Sequence, residues 1–367
     1  MAYKLKLKQS LEDGVRRIAV DQLDKALLQP ADDAARAVWV HETRKALKRT
    51  RALLRLVRSG LEHATWDAEN AALRDIARSL SPMRDRDILR QIMANLAAGG
   101  DKSVGEALAR FEKIVEAPLH DAIPGKAAGS AIAEACKQIS AARDRLAHIK
   151  LEGDLPGVLA DGIARGLHRG AKALARVEAE ASAENLHELR KAVQIYWRHM
   201  VLVKAAWPDV MSARAEAARE LAQMLGEVQD LAVLAAAAEA RNRGSAGRRR
   251  DAELIIAGCR KRQEARQAVA IPLATRLFAS PHTSAGQEVA RCWQAAMQMA
   301  VETSRRRKAA PDPQPRPRPR PGLRPFAILA GRGAWPSGSN LLKCRIQVLQ
   351  LHTGVGGREV PVGLDVG

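Results

Sequence analysis

A run of basic side chains between residues 38 and 58 has the spacing of a helix with one cationic face. At about 100° per residue, the cations recur every three or four positions and lie opposite Leu47, Leu53 and Leu54. A solvated charged face is the simplest interpretation of such a run. However, no acidic residue follows Glu42 until Glu62, so the cations lack the i+4 partners that usually support an exposed helix. The spacing therefore indicates an anion-binding surface. Its members are His41, Arg44, Lys45, Lys48, Arg51, Arg55 and Arg58.

A second cationic face is predicted just after residue 160. Four basic side chains lie within about 60° of rotation on a helical wheel, opposite Ile163 and Leu167. Arg offers forked donors to phosphate oxygens and Lys offers a compact charge, so both faces have the chemistry to bind phosphate groups. Two such faces across one groove would favour a partner with many anionic groups over a single phosphate. The four residues are Arg165, Arg169, Lys172 and Arg176.

These faces belong to an internal repeat, because three short segments recur in the same order about 146 residues further along the chain. The second copy of the HxxRK segment, which begins at His187, is followed by fewer cations. Trp197 and Val201 stand where Arg51 and Arg55 stand in the first copy. The repeat predicts two related halves that have diverged. The matching segments are residues 13–17 with 161–165, 41–46 with 187–192, and 80–85 with 225–230.

The elements that carry the repeat are predicted to be helices. Residues 1–307 are rich in Ala, Leu, Arg, Glu and Gln, and their prolines fall where the apolar periodicity lapses. This pattern favours an all-α body of long antiparallel helices, with halves at residues 1–150 and 151–307. Residues 308–367 hold nine of the 17 prolines, several in an Arg-Pro alternation that cannot be helical. We expect this segment to be a disordered tail.

Composition and motifs exclude several classes of function. The formal net charge of +19 suits a polyanionic partner, whereas 3% aromatic residues are too few for the stacking platforms of single-stranded nucleic-acid binding. The scattered cysteines form no CxxC pair, and no GxxxxGKS/T, GxSxG or HExxH motif occurs. We therefore expect no metal, no cofactor and no catalytic residue. The chain lacks about 18 consecutive uncharged apolar residues and a secretory signal core, which predicts a cytoplasmic protein without a membrane span.

The duplicated HxxRK segment, the basic face and a later LxxxRDxD segment at residues 80–87 together resemble the CHAD domain, the conserved histidine α-helical domain. The resemblance covers roughly residues 5–300. It implies two four-helix bundles related by pseudo-twofold symmetry, which enclose a basic cavity that binds inorganic polyphosphate. It also implies association with polyphosphate granules in bacterial cytoplasm. The ExExK signature of the CYTH domain, which is often fused to this family, is missing.

Carried over residue by residue, the resemblance places polyphosphate-binding side chains in both halves. His41 and His187 either donate hydrogen bonds to the ligand or have a structural role. Asp85, Asp87 and Asp230 are expected to pair with arginines and hold them in position. We expect a binding module without an active site; general nucleic-acid binding is the alternative, and an enzyme acting on phosphoanhydrides is a third possibility. The expected binding residues are His41, Arg44, Lys45, Lys48, Arg51, Arg55, Arg165, Arg169, Lys172, His187, Arg190 and Lys191.

Overall fold

The computed structural model describes residues 3–30, 32–81, 85–116, 125–241 and 246–309. Within these residues, the regular secondary structure is helical throughout. The expectation of an all-α body is therefore confirmed. The predicted tail lies outside the described residues from 310 onward. The α-helices are α1 (Leu11–Ala26), α2 (Asp33–Leu56), α3 (His63–Ser79), α4 (Asp85–Ala97), α5 (Lys102–Glu116), α6 (Gly125–Ala147), α7 (Leu155–Ala179), α8 (Ala183–Leu202), α9 (Pro208–Ala240), α10 (Ala246–Leu277) and α11 (His282–Ala309), and two short 3-10 helices span Arg58–Gly60 and Lys204–Ala206.

Polar side chains fix the starts of the helices that carry the basic faces. The side chain of Asp32 accepts a hydrogen bond from the backbone N–H of Ala35 at 2.7 Å and so caps α2. Asp154 caps α7 in the same way through the N–H of Gly157 at 2.9 Å. Each cap satisfies a backbone donor that the helix itself leaves unpaired, which stabilises the helix by about 1 kcal/mol.

The helices pack in an order that brings the two predicted halves together. α1 packs against α2 and α6, and α3 packs against the same two helices. α7, α8, α9 and α10 form a second closed ring of contacts, with α11 against α7. α2 also packs against α7 and α8, and the buried apolar side chains of both rings belong to one continuous core.

A second, smaller core lies beside the first. It is formed by α4, α5, the end of α9 and the beginning of α10. Leu96 and Phe111 come from the first half of the chain, whereas Leu234 and Ile255 come from the second. Apolar contact therefore joins residues on both sides of position 150 in each of the two cores.

Glycine allows α7 to approach α2 closely. A Cβ atom added at Gly162 would overlap the backbone carbonyl of Leu56 at the end of α2. One turn later, a Cβ atom at Gly166 would lie 3.2 Å from Nδ1 of His199 on α8. These small residues place the basic face of α7 next to the C-terminal end of α2, which is the geometry that the candidate site requires.

One helix in the described part of the chain, α9, is long and apolar enough to cross a membrane by length and composition. It packs against α4, α8 and α10, and 44% of its apolar stretch is buried within the protein. A core helix of a soluble protein meets the same criterion, so this property is weak evidence for a span.

Candidate functional site

Arginines from the two predicted basic faces meet where the end of α2 lies beside α7. Burial, together with the charges of Arg169, Arg51 and Arg58, lowers the pKa of Arg55 to about 10. Burial also lowers the pKa of Arg51, with a contribution from the charge of Arg169. Because these cations repel one another across the two helices, they lie within electrostatic range. We call Arg51, Arg55, Arg58, Arg165 and Arg169 the arginine cluster.

A hydrogen bond ties the two sides of the arginine cluster together. Nη2 of Arg165 on α7 donates to Oγ of Ser59, in the short 3-10 helix after α2, at 3.3 Å. Burial lowers the pKa of Arg165; the carboxylate of Asp161 opposes this shift, and the charge of Arg58 adds to it. The cluster is therefore a region where partly desolvated cations face each other.

Two side chains of α3 hold the arginines of the first half in place. Oδ1 of Asn70 accepts hydrogen bonds from Nε of Arg51 at 3.2 Å and from Nη2 of Arg55 at 3.4 Å. The buried ring of Trp66 lies under the guanidinium groups of Arg55 and Arg58, with 5.5 and 5.1 Å from Cζ to the ring centroid. Such cation–π contacts contribute about 0.5–1 kcal/mol at exposed sites and orient the planar group.

Carboxylates lie at two edges of the arginine cluster. Asp75 on α3 accepts from Nε of Arg74 at 2.9 Å and lies 3.8 Å from Nη1 of Arg78. The hydrogen bond from Arg74 lowers the pKa of Asp75, and the charge of Arg51 contributes. Asp75 is thus a counter-charge at the α3 edge of the cluster.

Glu188 on α8 is the counter-charge at the other edge. It accepts from Nζ of Lys191 at 2.6 Å and lies 3.5 Å from Nη2 of Arg169. The hydrogen bond from Lys191 lowers the pKa of Glu188, and the charge of Arg169 adds to the shift. Glu188 therefore links the second HxxRK segment to the arginine cluster.

The remaining predicted residues of the first half lie further toward the start of α2. Nζ of Lys45 is 3.1 Å from Oε1 of Glu42, and Nε2 of His41 is 3.8 Å from the same atom. Nη1 of Arg44 donates to the backbone carbonyl of Ala77 and to Oγ of Ser81, and so fixes α2 against the end of α3. Lys48 and Lys172 are exposed.

In the second HxxRK segment, His187 and Arg190 face α9. Burial lowers the pKa of His187, and the charges of Lys191 and Arg190 lower it further, whereas a hydrogen bond with Gln229 opposes this. A Cβ atom added at Gly226 would lie 3.0 Å from Nη2 of Arg190. Arg190 therefore packs against α9, as Arg44 packs against the end of α3.

The acidic residues predicted to hold the arginines are only partly described. The side chains of Asp85 and Asp87 lie outside the described residues, so their pairing stays a prediction. Asp230 is half-buried and lines a cavity of 320 Å³ between α4, α9 and α10, together with Glu227 and Arg262. The carboxylates at the edges of the arginine cluster, Asp75 and Glu188, were not among the residues predicted from the sequence.

Histidine, cysteine and carboxylate groups do not converge on a metal-binding arrangement anywhere in the described ranges. Cys136 and Cys259 are buried and unpaired, and burial raises the pKa of both thiols. The chemistry that the described site offers is therefore binding of negative charge by partly buried guanidinium groups.

The family model of the CHAD domain matches residues 17–239, which is more than half of the chain. This chain belongs to the CHAD domain family. The matched part of the CHAD domain runs from α1 into the end of α9 and includes all five residues of the arginine cluster. A search of curated proteins found no match to this chain.

Proposed function

We propose that this CHAD domain protein binds inorganic polyphosphate at the arginine cluster. The observation that carries the proposal is the placement of Arg51 and Arg55 on α2 within electrostatic range of Arg169 on α7. These partly buried cations come from different halves and repel one another. Holding such cations together costs free energy in the unliganded protein, and a polyanion relieves that cost. Polyphosphate is a flexible chain of anionic groups without bases, so it needs directed cations and no stacking surface.

The arrangement also supports a binding role without chemistry. The described groups around the arginine cluster are guanidinium, amide, hydroxyl and indole groups, together with three carboxylates. Cations pair with Asp75 and Glu188, and Asp161 lies within electrostatic range of Arg165. We accordingly propose a binding module of the cytoplasm, located at polyphosphate granules, and not an enzyme. Nucleic acid is the competitor that the experiment below must exclude.

We further infer that the chain forms two four-helix bundles related by pseudo-twofold symmetry. The order of α2, a 3-10 helix at Arg58–Gly60 and α3 recurs as α8, a 3-10 helix at Lys204–Ala206 and α9. The packing of Arg44 on Ser81 and of Arg190 beside Gly226 also recurs, and these pairs are matched in the sequence repeat. The repeated contacts support a common ancestral half.

The test is a triple variant, Arg55→Ala, Arg165→Ala and Arg169→Ala. A hydrogen bond to a charged group contributes about 1.5–3 kcal/mol, so we expect affinity for long-chain polyphosphate to fall at least ~100-fold. The slope of log K against log salt should decrease by about 2, since three fewer phosphates would be neutralised. Isothermal titration at several salt concentrations measures both quantities.

The matched control removes three positive charges elsewhere, from exposed arginines on α9, α10 and α11. Its substitutions are Arg219→Ala, Arg276→Ala and Arg306→Ala. This control should bind nearly as the unchanged protein does. Equal losses in both triple variants would contradict the site. Displacement of polyphosphate by duplex DNA or RNA at equal phosphate concentration and physiological salt would contradict the ligand.

A further inference from the structure

The arginine cluster is neutralised unevenly, which divides it into a centre and two flanks. In the centre, Arg55 contacts the amide of Asn70 and the ring of Trp66, and Arg58 shares that ring. Arg165 donates to the hydroxyl of Ser59. Within the described residues, none of these three arginines forms an ion pair with a carboxylate, and their hydrogen-bond partners are neutral. The charge of Asp161 acts on Arg165 along α7, without an ion pair between them.

The flanks differ because each contains a carboxylate of the protein itself. On the α3 side, Asp75 accepts two hydrogen bonds from Arg74, at 2.9 and 3.3 Å, and its charge also acts on Arg51. On the α8 side, Glu188 lies between Lys191 and Arg169. An anion that binds Arg169 must therefore compete with Glu188. An anion on the α3 side must compete with Asp75, which is paired with Arg74 and lies within electrostatic range of Arg51. An anion at the centre displaces no ion pair between the described residues.

We propose that the centre is a subsite for a single tetrahedral oxyanion group, and that Asp75 and Glu188 set the preference for ligand length by competing for the flanking cations. This inference rests on the proposed polyphosphate function and deepens it. A short oligophosphate occupies the centre and leaves both carboxylates in their ion pairs. A long chain extends onto both flanks, where it must compete with one carboxylate on each side.

The competition follows from the exposure of the two ion pairs. Asp75 and Glu188 have side-chain exposures of 53% and 32%, so their pairs are open to solvent and to an incoming anion. Exposed pairs of this kind contribute little net stability, typically below about 1 kcal/mol, so a chain that brings one negative charge with each linked phosphate group can replace them. The carboxylates therefore weaken the binding of long chains but do not prevent an anion from binding at the centre.

The experiment compares tripolyphosphate with long-chain polyphosphate on the full chain and on a double variant, Asp75→Asn with Glu188→Gln. Both substitutions keep the side-chain shape and remove one charge each. We expect long-chain affinity to rise about tenfold and tripolyphosphate affinity to change less than threefold, because at physiological salt exposed charges act weakly beyond a Debye length of about 8 Å. Titration calorimetry at 0.15 M salt gives both constants.

The matched control is Glu216→Gln with Glu302→Gln, two exposed carboxylates that pair with Arg219 and Arg306 on other helices. This control should leave the ratio of long-chain to tripolyphosphate affinity unchanged. A double variant that binds long chains more weakly would overturn the inference, since the carboxylates would then position the arginines. A parallel rise for both ligands, or the same rise in the control, would also overturn it. Failure of the unchanged protein to bind either ligand would instead contradict the proposed function.

Discussion

Among single residues, His199 shows how the core beneath the arginine cluster restricts protonation. It lies on α8, almost fully buried, with Nε2 3.0 Å from the backbone carbonyl oxygen of Ala52 on α2. Burial, together with the charges of Arg55 and Arg165, lowers its pKa to about 3. The neutral ring donates from Nε2 to the carbonyl and so joins α8 to α2, beneath the arginine cluster.

The lowered pKa of His199 predicts a loss of stability in mild acid. The unfolded chain binds a proton near pH 6.5 and the folded chain does not until about pH 3, so the contribution of His199 is complete above pH 6.5 and decreases as pH falls toward 3. The decrease is about 1.4 kcal/mol per pH unit. His199→Gln removes this titration. The difference in unfolding free energy between the unchanged protein and His199→Gln, measured by urea denaturation, should become smaller from pH 7 to pH 5. If both unfolding free energies change with pH in parallel, the titration of His199 does not cause the loss of stability.

At the scale of elements, the distance between α2 and α7 determines whether the basic faces meet. Gly162→Ala places a methyl group against the carbonyl of Leu56, so α7 must move away from α2. We expect a loss of stability of about 1–3 kcal/mol and weaker polyphosphate binding, since Arg165 would move away from Ser59. Thermal unfolding and titration measure the two effects. Gly105→Ala on α5, where an added Cβ meets nothing within 4 Å, is the control. It should raise stability by up to about 1 kcal/mol, because alanine favours the helix, and should leave binding unchanged.

The spacing of cations predicted the basic faces of α2 and α7, because helical periodicity alone decides which side chains share a face. It could not predict which neighbour each face meets. Arg44 packs against the end of α3, whereas Arg55 faces Arg169, and both lie on the same predicted face. The sequence pattern also did not identify Trp66 and Asn70 as site residues. Neither side chain is charged, so neither is part of the spacing of cations from which the site was predicted.

For the whole molecule, the two halves of the sequence are not expected to fold separately. In the smaller core, α4 and α5 cover the end of α9 and the beginning of α10, so residues such as Ile92, Leu96 and Phe111 are buried against helices of the other half. Burial of each such side chain contributes about 1.5–3 kcal/mol, and an isolated first half would expose these surfaces to water. The two halves are therefore related in sequence, but each hydrophobic core contains side chains from both halves.

A fragment of residues 1–150 tests this dependence. We expect it to lack a cooperative thermal transition and to have a lower helix content per residue than a fragment of residues 1–309, which contains every helix described above. Circular dichroism during heating measures both properties. Adding a fragment of residues 151–309 should restore the transition, because the apolar faces of α4, α5, α9 and α10 complement one another. If residues 1–150 alone unfold as sharply as residues 1–309, the shared core does not hold the halves together, and α2 and α7 would need another means of bringing their arginines to one site.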